Sequence, residues 1–162
     1  MRVSTFFMAV VGVGVAVALP SAQAQVSCNT VITEKVVATA DLNCAAFDPG
    51  FTIDGGSVDL DGHSVTVAAG ATAVALVGQG SKLSNGSIEL GATGVGVSFG
   101  GTGVHKVEGI VVLGGTTGFL GTTNKNKLKH CSATGSGTGY DFTGSKVAIS
   151  RSRCRCPSRC CG

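Results

Sequence analysis

The side chains that could take part in chemistry are few, and three of them cluster in one short segment. Asp59 and Asp61 lie two residues apart, and His63 follows after the same interval. Alternate residues of a β-strand share a face, so the two carboxylates could point outward together. Two carboxylates facing one bond are what glycoside hydrolysis requires, but solvated strands carry the same pattern without any activity. We therefore treat Asp59, Asp61 and His63 as candidates for a polar face, and the catalytic residues, if there are any, stay unassigned.

A second concentration of reactive side chains lies in residues 151–162, which contain four arginines and four cysteines, namely Arg151, Arg153, Arg155, Arg159, Cys154, Cys156, Cys160 and Cys161. The cysteine spacing matches no closed zinc pattern and arginine is not a metal ligand, so we expect no metal site and no cofactor. Two other interpretations stay open: a disulfide knot in an exported protein, or loss of the reading frame. Out-of-frame GC-rich DNA encodes Arg, Cys, Pro, Ser and Gly. We favour loss of the frame, because the periodic pattern of the chain stops where the composition changes.

Residues 1–24 have the three parts of an export signal. Met1-Arg2 is positively charged, an uncharged apolar run reaches Leu19, and Ala22-Gln23-Ala24 has the small-x-small pattern that precedes a cleavage site. The apolar run is short for a membrane anchor, and we predict no membrane span later in the chain. Cleavage after Ala24 would place the protein in a secreted or periplasmic location, where Cys28 and Cys44 are expected to form a disulfide.

Composition places the remaining chain among folded single domains. Of the 162 residues, 43% are hydrophobic and only 13% are charged, which excludes a highly charged disordered chain. Residues 25–150 contain seven lysines, no arginine and nine acidic residues, a net charge of −2. This balance is not that of a nucleic-acid-binding surface, so no nucleic-acid partner is predicted.

A repeat near 22 residues long organises residues 52–150. Residues 72, 93, 117 and 138 are threonines that open similar apolar pentads, at spacings of 21, 24 and 21. A second series of apolar landmarks keeps nearly the same period, and it consists of Leu60, Leu83, Val107, Leu128 and Ile149. The first three of these are followed five residues later by Val65, Ile88 and Val112. Short alternating strands with glycine turns at this period predict a parallel β-helix, in which equivalent inward positions stack from coil to coil.

Three segments of the chain resemble a known group of proteins. They are Cys28-Asn29-Thr30-Val31-Ile32-Thr33, Ala38-Thr39-Ala40-Asp41-Leu42-Asn43-Cys44 and Ser57-Val58-Asp59-Leu60-Asp61-Gly62-His63-Ser64-Val65. Together they are similar to the opening of secreted right-handed parallel β-helix proteins of the pectin-lyase-like superfamily. The resemblance implies an all-β solenoid of about five coils over residues 52–150, with an N-terminal cap at 25–51. Asp61 stands where that pattern usually has Asn, and the small number of coils implies a truncated member.

The resemblance raises two functional hypotheses from different classes. One is a non-catalytic surface module that contacts polysaccharide; the other is a truncated polysaccharide lyase, glycoside hydrolase or epimerase of the β-helix type. Gly62-His63 is similar to the Gly-His-Gly element of β-helix polygalacturonases, yet Ser64 follows and no Asp-Asp pair lies beside it. We favour the non-catalytic module. Self-association through the open C-terminal coil is a further expectation.

Four polar positions inside the repeats are expected to have structural roles. His105 and His130 each neighbour a lysine and are expected to be exposed. Asn126, together with Asn124, is a candidate for an asparagine ladder between coils.

Overall fold

The fold is known from a computed structural model, which describes residues 25–144 and 146–155. The secondary structure of these residues consists of short β-strands joined by turns. In chain order the strands are β1 Val31–Ile32, β2 Lys35–Val37, β3 Leu42–Asn43, β4 Phe51–Ile53, β5 Ser57–Asp59, β6 Ser64–Thr66, β7 Thr72–Leu76, β8 Lys82–Glu89, β9 Val95–Phe99, β10 Lys106–Leu113, β11 Thr117–Gly121, β12 Lys127–Lys129, β13 Ser132–Thr134, β14 Thr138–Phe142, β15 Ala148–Ser150 and β16 Arg153–Arg155.

The strands wind into a parallel β-solenoid of six coils. Every pairing is parallel and joins a strand to its equivalent in the next coil. The first stack is a six-stranded sheet in the order β1-β4-β7-β9-β11-β14. The second stack contains β2, β5, the first half of β8, the first half of β10, β12 and β15, and the third contains β3, β6, the second halves of β8 and β10, β13 and β16. This confirms the predicted all-β solenoid. β1–β3 form the first coil, and five further coils follow between Phe51 of β4 and Arg155 of β16.

A residue with left-handed backbone separates the second stack from the third. Asn85 has φ 54° inside β8, and its register partner Gly109 has φ 65° inside β10. His130 and Arg151 have φ values of 54° and 51° at the equivalent positions of the next two coils. Glycine and asparagine adopt this conformation at the least cost. From the third coil to the sixth, the corner between the second and third stacks therefore begins with a residue of the same left-handed conformation.

The core is a set of apolar columns, as the repeat predicted. Val65, Ile88 and Val112 stack in consecutive coils and are fully buried. A second column contains Leu83, Val107, Leu128 and Ile149, so four of the five predicted members share it; Ile149, on the sixth coil, is 44% exposed. The prediction that Leu60 belongs to this column is wrong.

The error has a local cause. Val58, not Leu60, is the register partner of Leu83, because the corner between β5 and β6 holds four residues where β8 has two. Leu60 is buried within that longer corner, against the backbone of Gly86. The threonine alignment is wrong at one point as well: Thr72 pairs with Val95, two residues after Thr93, and then the column continues through Thr117 and Thr138.

The N-terminal segment carries the predicted disulfide. Cys28 and Cys44 are bonded, with their Cα atoms 5.4 Å apart, and the bond ties the entry of β1 to the end of β3. Cys44 is completely buried beside the core. The proposed signal peptide lies outside the described residues. Among the residues that the structure describes, no helix has the length and apolar character needed to cross a membrane.

Candidate binding face

The three residues predicted to form a polar face lie at the corner after β5, and their polar groups are engaged locally. Asp59 accepts hydrogen bonds from the Asn85 side-chain amide, at 3.1 and 3.2 Å, and from the backbone N–H of Asp61, at 3.1 Å. Asn85 occupies the left-handed corner of the next coil. Asp59 therefore joins two corners, which is a structural role for a carboxylate on a solvated strand.

Asp61 and His63 do not share a contact. Asp61 itself has φ 48° and is exposed. His63 Nδ1 lies 3.4 Å from Asp41 Oδ1, and Asp41 also accepts the backbone N–H of Ser64 at 2.7 Å. The Ser64 backbone hydrogen bond is the main cause of a lowered pKa of Asp41, followed by its side-chain bond to Ser64 and the proximity of His63. The predicted residues thus form two separate corner contacts.

A buried polar column lies before the second stack, where sequence reasoning had expected exposed side chains. Ser81, His105 and Asn126 precede β8, β10 and β12 at equivalent positions, and all three are completely buried. The expectation that His105 is exposed was wrong, whereas His130 is exposed as predicted. Asn126 does contribute an inter-coil hydrogen bond, but its partner is the backbone N–H of His105, at 3.3 Å, and not another asparagine.

The surroundings of His105 favour its neutral form. Its Nε2 lies 2.7 Å from the carbonyl oxygen of Gly100, so Nε2 carries the proton and donates it. Its Nδ1 is buried and has no hydrogen-bond partner among the described residues. Burial lowers the pKa of His105, and the bond to Gly100 opposes this only in part.

A column of lysines runs along the outer face of the second stack. Lys82, Lys106 and Lys127 are register partners on three consecutive coils, and all are exposed. Lys35 lies in the same column on the first coil, separated from Lys82 by Ser57. We call Lys82, Lys106 and Lys127 the lysine column. Each member immediately precedes an inward apolar landmark, so alternation of the strand places the apolar residue inside and the ammonium group outside.

The next outward column of the second stack contains Ser84, Glu108 and Lys129. Glu108 is the acidic side chain of β10. Glu108 pairs with Lys129 of the next coil at 2.7 Å, and His130 Nδ1 lies 3.7 Å from the same oxygen. The hydrogen bond from Lys129 is the main cause of a lowered pKa of Glu108. Because Glu108 is held by Lys129, it does not neutralise the lysine column; within the described part of the chain, the column has no ion pair of its own.

A shallow recess opens on this face. Its volume is about 240 Å³, and its lining consists of Ser57, Lys82, Leu83, Ser84, Lys106 and Glu108. Two ammonium groups and two hydroxyl groups surround one carboxylate that is already paired. The recess can therefore donate hydrogen bonds to a ligand and balance its negative charge, but it does not present two free carboxylates to one bond.

Metal-binding groups do not assemble in the described residues. No cluster of three or more His, Cys, Asp or Glu side chains lies close enough there to hold a metal ion. In the C-terminal segment Cys154 packs against the core and is disulfide-bonded. Cys156, Cys160, Cys161 and Arg159 lie outside the described residues.

Comparison of the chain with protein-family models, with curated proteins and with solved structures finds no match.

Proposed function

We propose that this chain is a non-catalytic β-solenoid module that binds an acidic polysaccharide along the lysine column. Export through residues 1–24 and affiliation with the pectin-lyase-like superfamily are parts of the same proposal. The observation that carries it is the stacking of Lys82, Lys106 and Lys127 without neutralising partners.

Like charges stacked on consecutive coils repel each other and destabilise the folded chain. Paired strands lie about 4.8 Å apart, so the backbone positions of neighbouring lysines are separated by that distance. Two such charges repel by roughly 0.8 kcal/mol in water, and directly opposed like charges weaken a sheet. Three consecutive coils keep the array although Ser57 and Ala148 occupy the same column on other coils. A ligand with regularly spaced negative charges would remove this repulsion.

The geometry of the column favours an extended, repeating polyanion. The lysines are register partners on consecutive coils, so they follow the direction of the solenoid axis with one lysine per coil. A polyuronate chain offers one carboxylate per sugar ring, and Ser57 and Ser84 beside the column can bond to its hydroxyl groups.

The acidic residues favour contact over bond cleavage. Glu108 is paired with Lys129, and Asp59 is bonded to Asn85 and to the backbone of Asp61. Hydrolysis would need one carboxyl group free to donate a proton and another free to attack or activate water. A face in which the carboxylates are already partnered suits recognition of a ligand.

Binding to defined polysaccharides tests the proposal. In affinity electrophoresis, a gel that contains polygalacturonate should retain the purified chain, and this retention should decrease as the salt concentration is raised. The variant Lys106→Gln/Lys127→Gln should lose most of it. Lys125→Gln/Lys146→Gln removes the same charge from two exposed turns and serves as the matched control. Equal retention by the two double variants would contradict the proposal, as would equal binding of DNA or of a neutral polysaccharide. Release of unsaturated or reducing ends would support the catalytic alternative.

A further inference from the structure

The last coil carries two arginines on one outward face. β16 pairs with β13 in the third stack, with Arg153 opposite Ser132 and Arg155 opposite Thr134. Cys154 lies between the arginines in sequence and packs against the core, so the strand directs both flanking side chains outward. Alternate residues of a strand are about 6.6 Å apart, and the next strand lies about 4.8 Å away. The Cα atoms of these two arginines, of Ser132 and of Thr134 thus lie at the corners of a small rectangle.

These four side chains line one recess. Its volume is about 230 Å³, and Ser132, Thr134, Arg153 and Arg155 form its lining. Within the described chain, none of the four side chains is bonded to another side chain or takes part in an ion pair. The carboxylate that shares their outward columns, Glu89, lies three coils away from Arg155. The recess is therefore a concentration of hydrogen-bond donors with uncompensated positive charge.

The donor arrangement indicates the shape of the ligand. A carboxylate is planar and has two oxygens, which one guanidinium group can satisfy by itself. Two arginines with two hydroxyl groups on a second strand supply more donors, in directions that are not coplanar. A sulfate or phosphate group has three or more acceptor oxygens arranged tetrahedrally, so it can accept from both arginines and from both hydroxyl groups at once.

An apolar surface adjoins the recess on the preceding coil. Val111 and Leu113 of β10 are the register partners of Ser132 and Thr134, and they are 37% and 39% exposed. A free inorganic ion gains nothing from these side chains. An organic group attached to the anion would cover them and remove apolar surface from water.

We propose that Arg153, Arg155, Ser132 and Thr134 form a binding site for a sulfate or phosphate monoester whose organic part lies on Val111 and Leu113. The site is on the third stack and is separated from the lysine column by the left-handed corner of each coil. It does not depend on polysaccharide binding along the second stack.

Titration of the full chain with small anions tests the site. Binding is measured by calorimetry. The probes are p-nitrophenyl sulfate, p-nitrophenyl phosphate, inorganic sulfate, inorganic phosphate and p-nitrobenzoate. Both esters should bind about tenfold or more tightly than p-nitrobenzoate, since at least one additional charge-assisted hydrogen bond is made. The two esters also show whether sulfate or phosphate is preferred. Binding of p-nitrobenzoate as tight as that of both esters would overturn the proposal, and so would the absence of measurable ester binding.

Variants locate the binding without relying on one substitution. Arg153→Gln/Arg155→Gln should weaken ester binding by about a hundredfold, a factor of ten for each arginine. Arg151→Gln removes an exposed arginine at the corner and should leave binding within about twofold, a surface-charge effect. Val111→Ser/Leu113→Ser should weaken the esters and leave the inorganic ions unchanged.

Arg153→Lys/Arg155→Lys keeps the charge and the fold but not the planar donor fork, and should still lose about tenfold. Unchanged ester binding in both arginine double variants would refute the site. If the glutamine variant does not fold, the lysine variant and the comparison of probes on the unmodified chain decide the matter.

Discussion

Replacing Asn126 by alanine should destabilise the protein more than any single change on its surface. Asn126 is completely buried; its Oδ1 accepts the backbone N–H of His105, and its Nδ2 donates to the carbonyl oxygen of Thr123, at 3.0 Å, and to the hydroxyl of the same residue. Alanine leaves the buried N–H group of His105 and the part-buried C=O group of Thr123 without these partners. Each orphaned group costs roughly 1–3 kcal/mol, so the expected loss is about 3 kcal/mol.

Equilibrium unfolding in urea measures this loss. With an m-value of about 1–3 kcal/mol per molar for a small protein, the midpoint should fall by at least about 1 M. Lys127→Ala is the matched control, because Lys127 is the next residue and is exposed; loss of its repulsion with Lys106 should change stability by no more than about 1 kcal/mol. If Asn126→Ala costs less than about 1 kcal/mol, the two groups find other partners and the reasoning on the buried polar column is wrong.

The remaining predictions concern other positions. Burial lowers the pKa of His105, so below a pH of about 6.5 His105 takes up a proton in the unfolded chain before it does so in the folded one. Its contribution to the free energy of unfolding should therefore be complete above that pH and should decline as the pH falls towards the lowered pKa. Melting curves of His105→Phe should show a smaller decline. Val104 has φ 66°, which is unfavourable for a β-branched residue, and Val104→Gly should raise the free energy of unfolding by about 0.5–1 kcal/mol in urea titrations; a decrease would contradict the left-handed assignment. Cys28→Ala/Cys44→Ala opens a loop with a sequence separation of 16 and should cost about 3 kcal/mol in the same assay, while a cost below about 1 kcal/mol would show that the loop contributes little constraint.

The fold could be predicted from the sequence because inward positions recur at the period of the coil. Val65, Ile88 and Val112 were aligned correctly, since each is the inward apolar residue of its strand and their spacings of 23 and 24 stay close to the period of the coil. Leu60 was misplaced because a corner can hold two additional residues without disturbing the strands on either side of it. A repeat read by residue type alone does not detect such a change in length.

The lysine column could have been found in the sequence, but the net charge of the whole segment does not reveal it. Lys82, Lys106 and Lys127 keep the spacings of 24 and 21 that the apolar landmarks show, each one residue earlier. Averaging charge over residues 25–150 gave −2 and concealed where the positive groups lie. Only the register shows that the acidic residues are distributed elsewhere, and that Glu108 is paired with Lys129.

Residues 151–162 are set apart by composition. Within them, Arg153–Arg155 form a strand paired with β13, and Arg151 adopts the same left-handed corner as His130. His105 was misjudged for a different reason. His105 neighbours a lysine, which suggested exposure, but consecutive residues at a corner point in opposite directions. The side chain of one enters the core while the other remains in water.

The most direct test of the central claim is an NMR titration of the full chain with an oligogalacturonate, followed through the backbone amide signals. We predict that the largest shifts occur at Lys82, Lys106 and Lys127 and at Ser84 beside them, and that they diminish as salt is added. Signals of Lys125 and Lys146 should stay unchanged. Shifts that are spread evenly over all exposed lysines, or that are absent from the second stack, would contradict the assignment of the lysine column as a binding face.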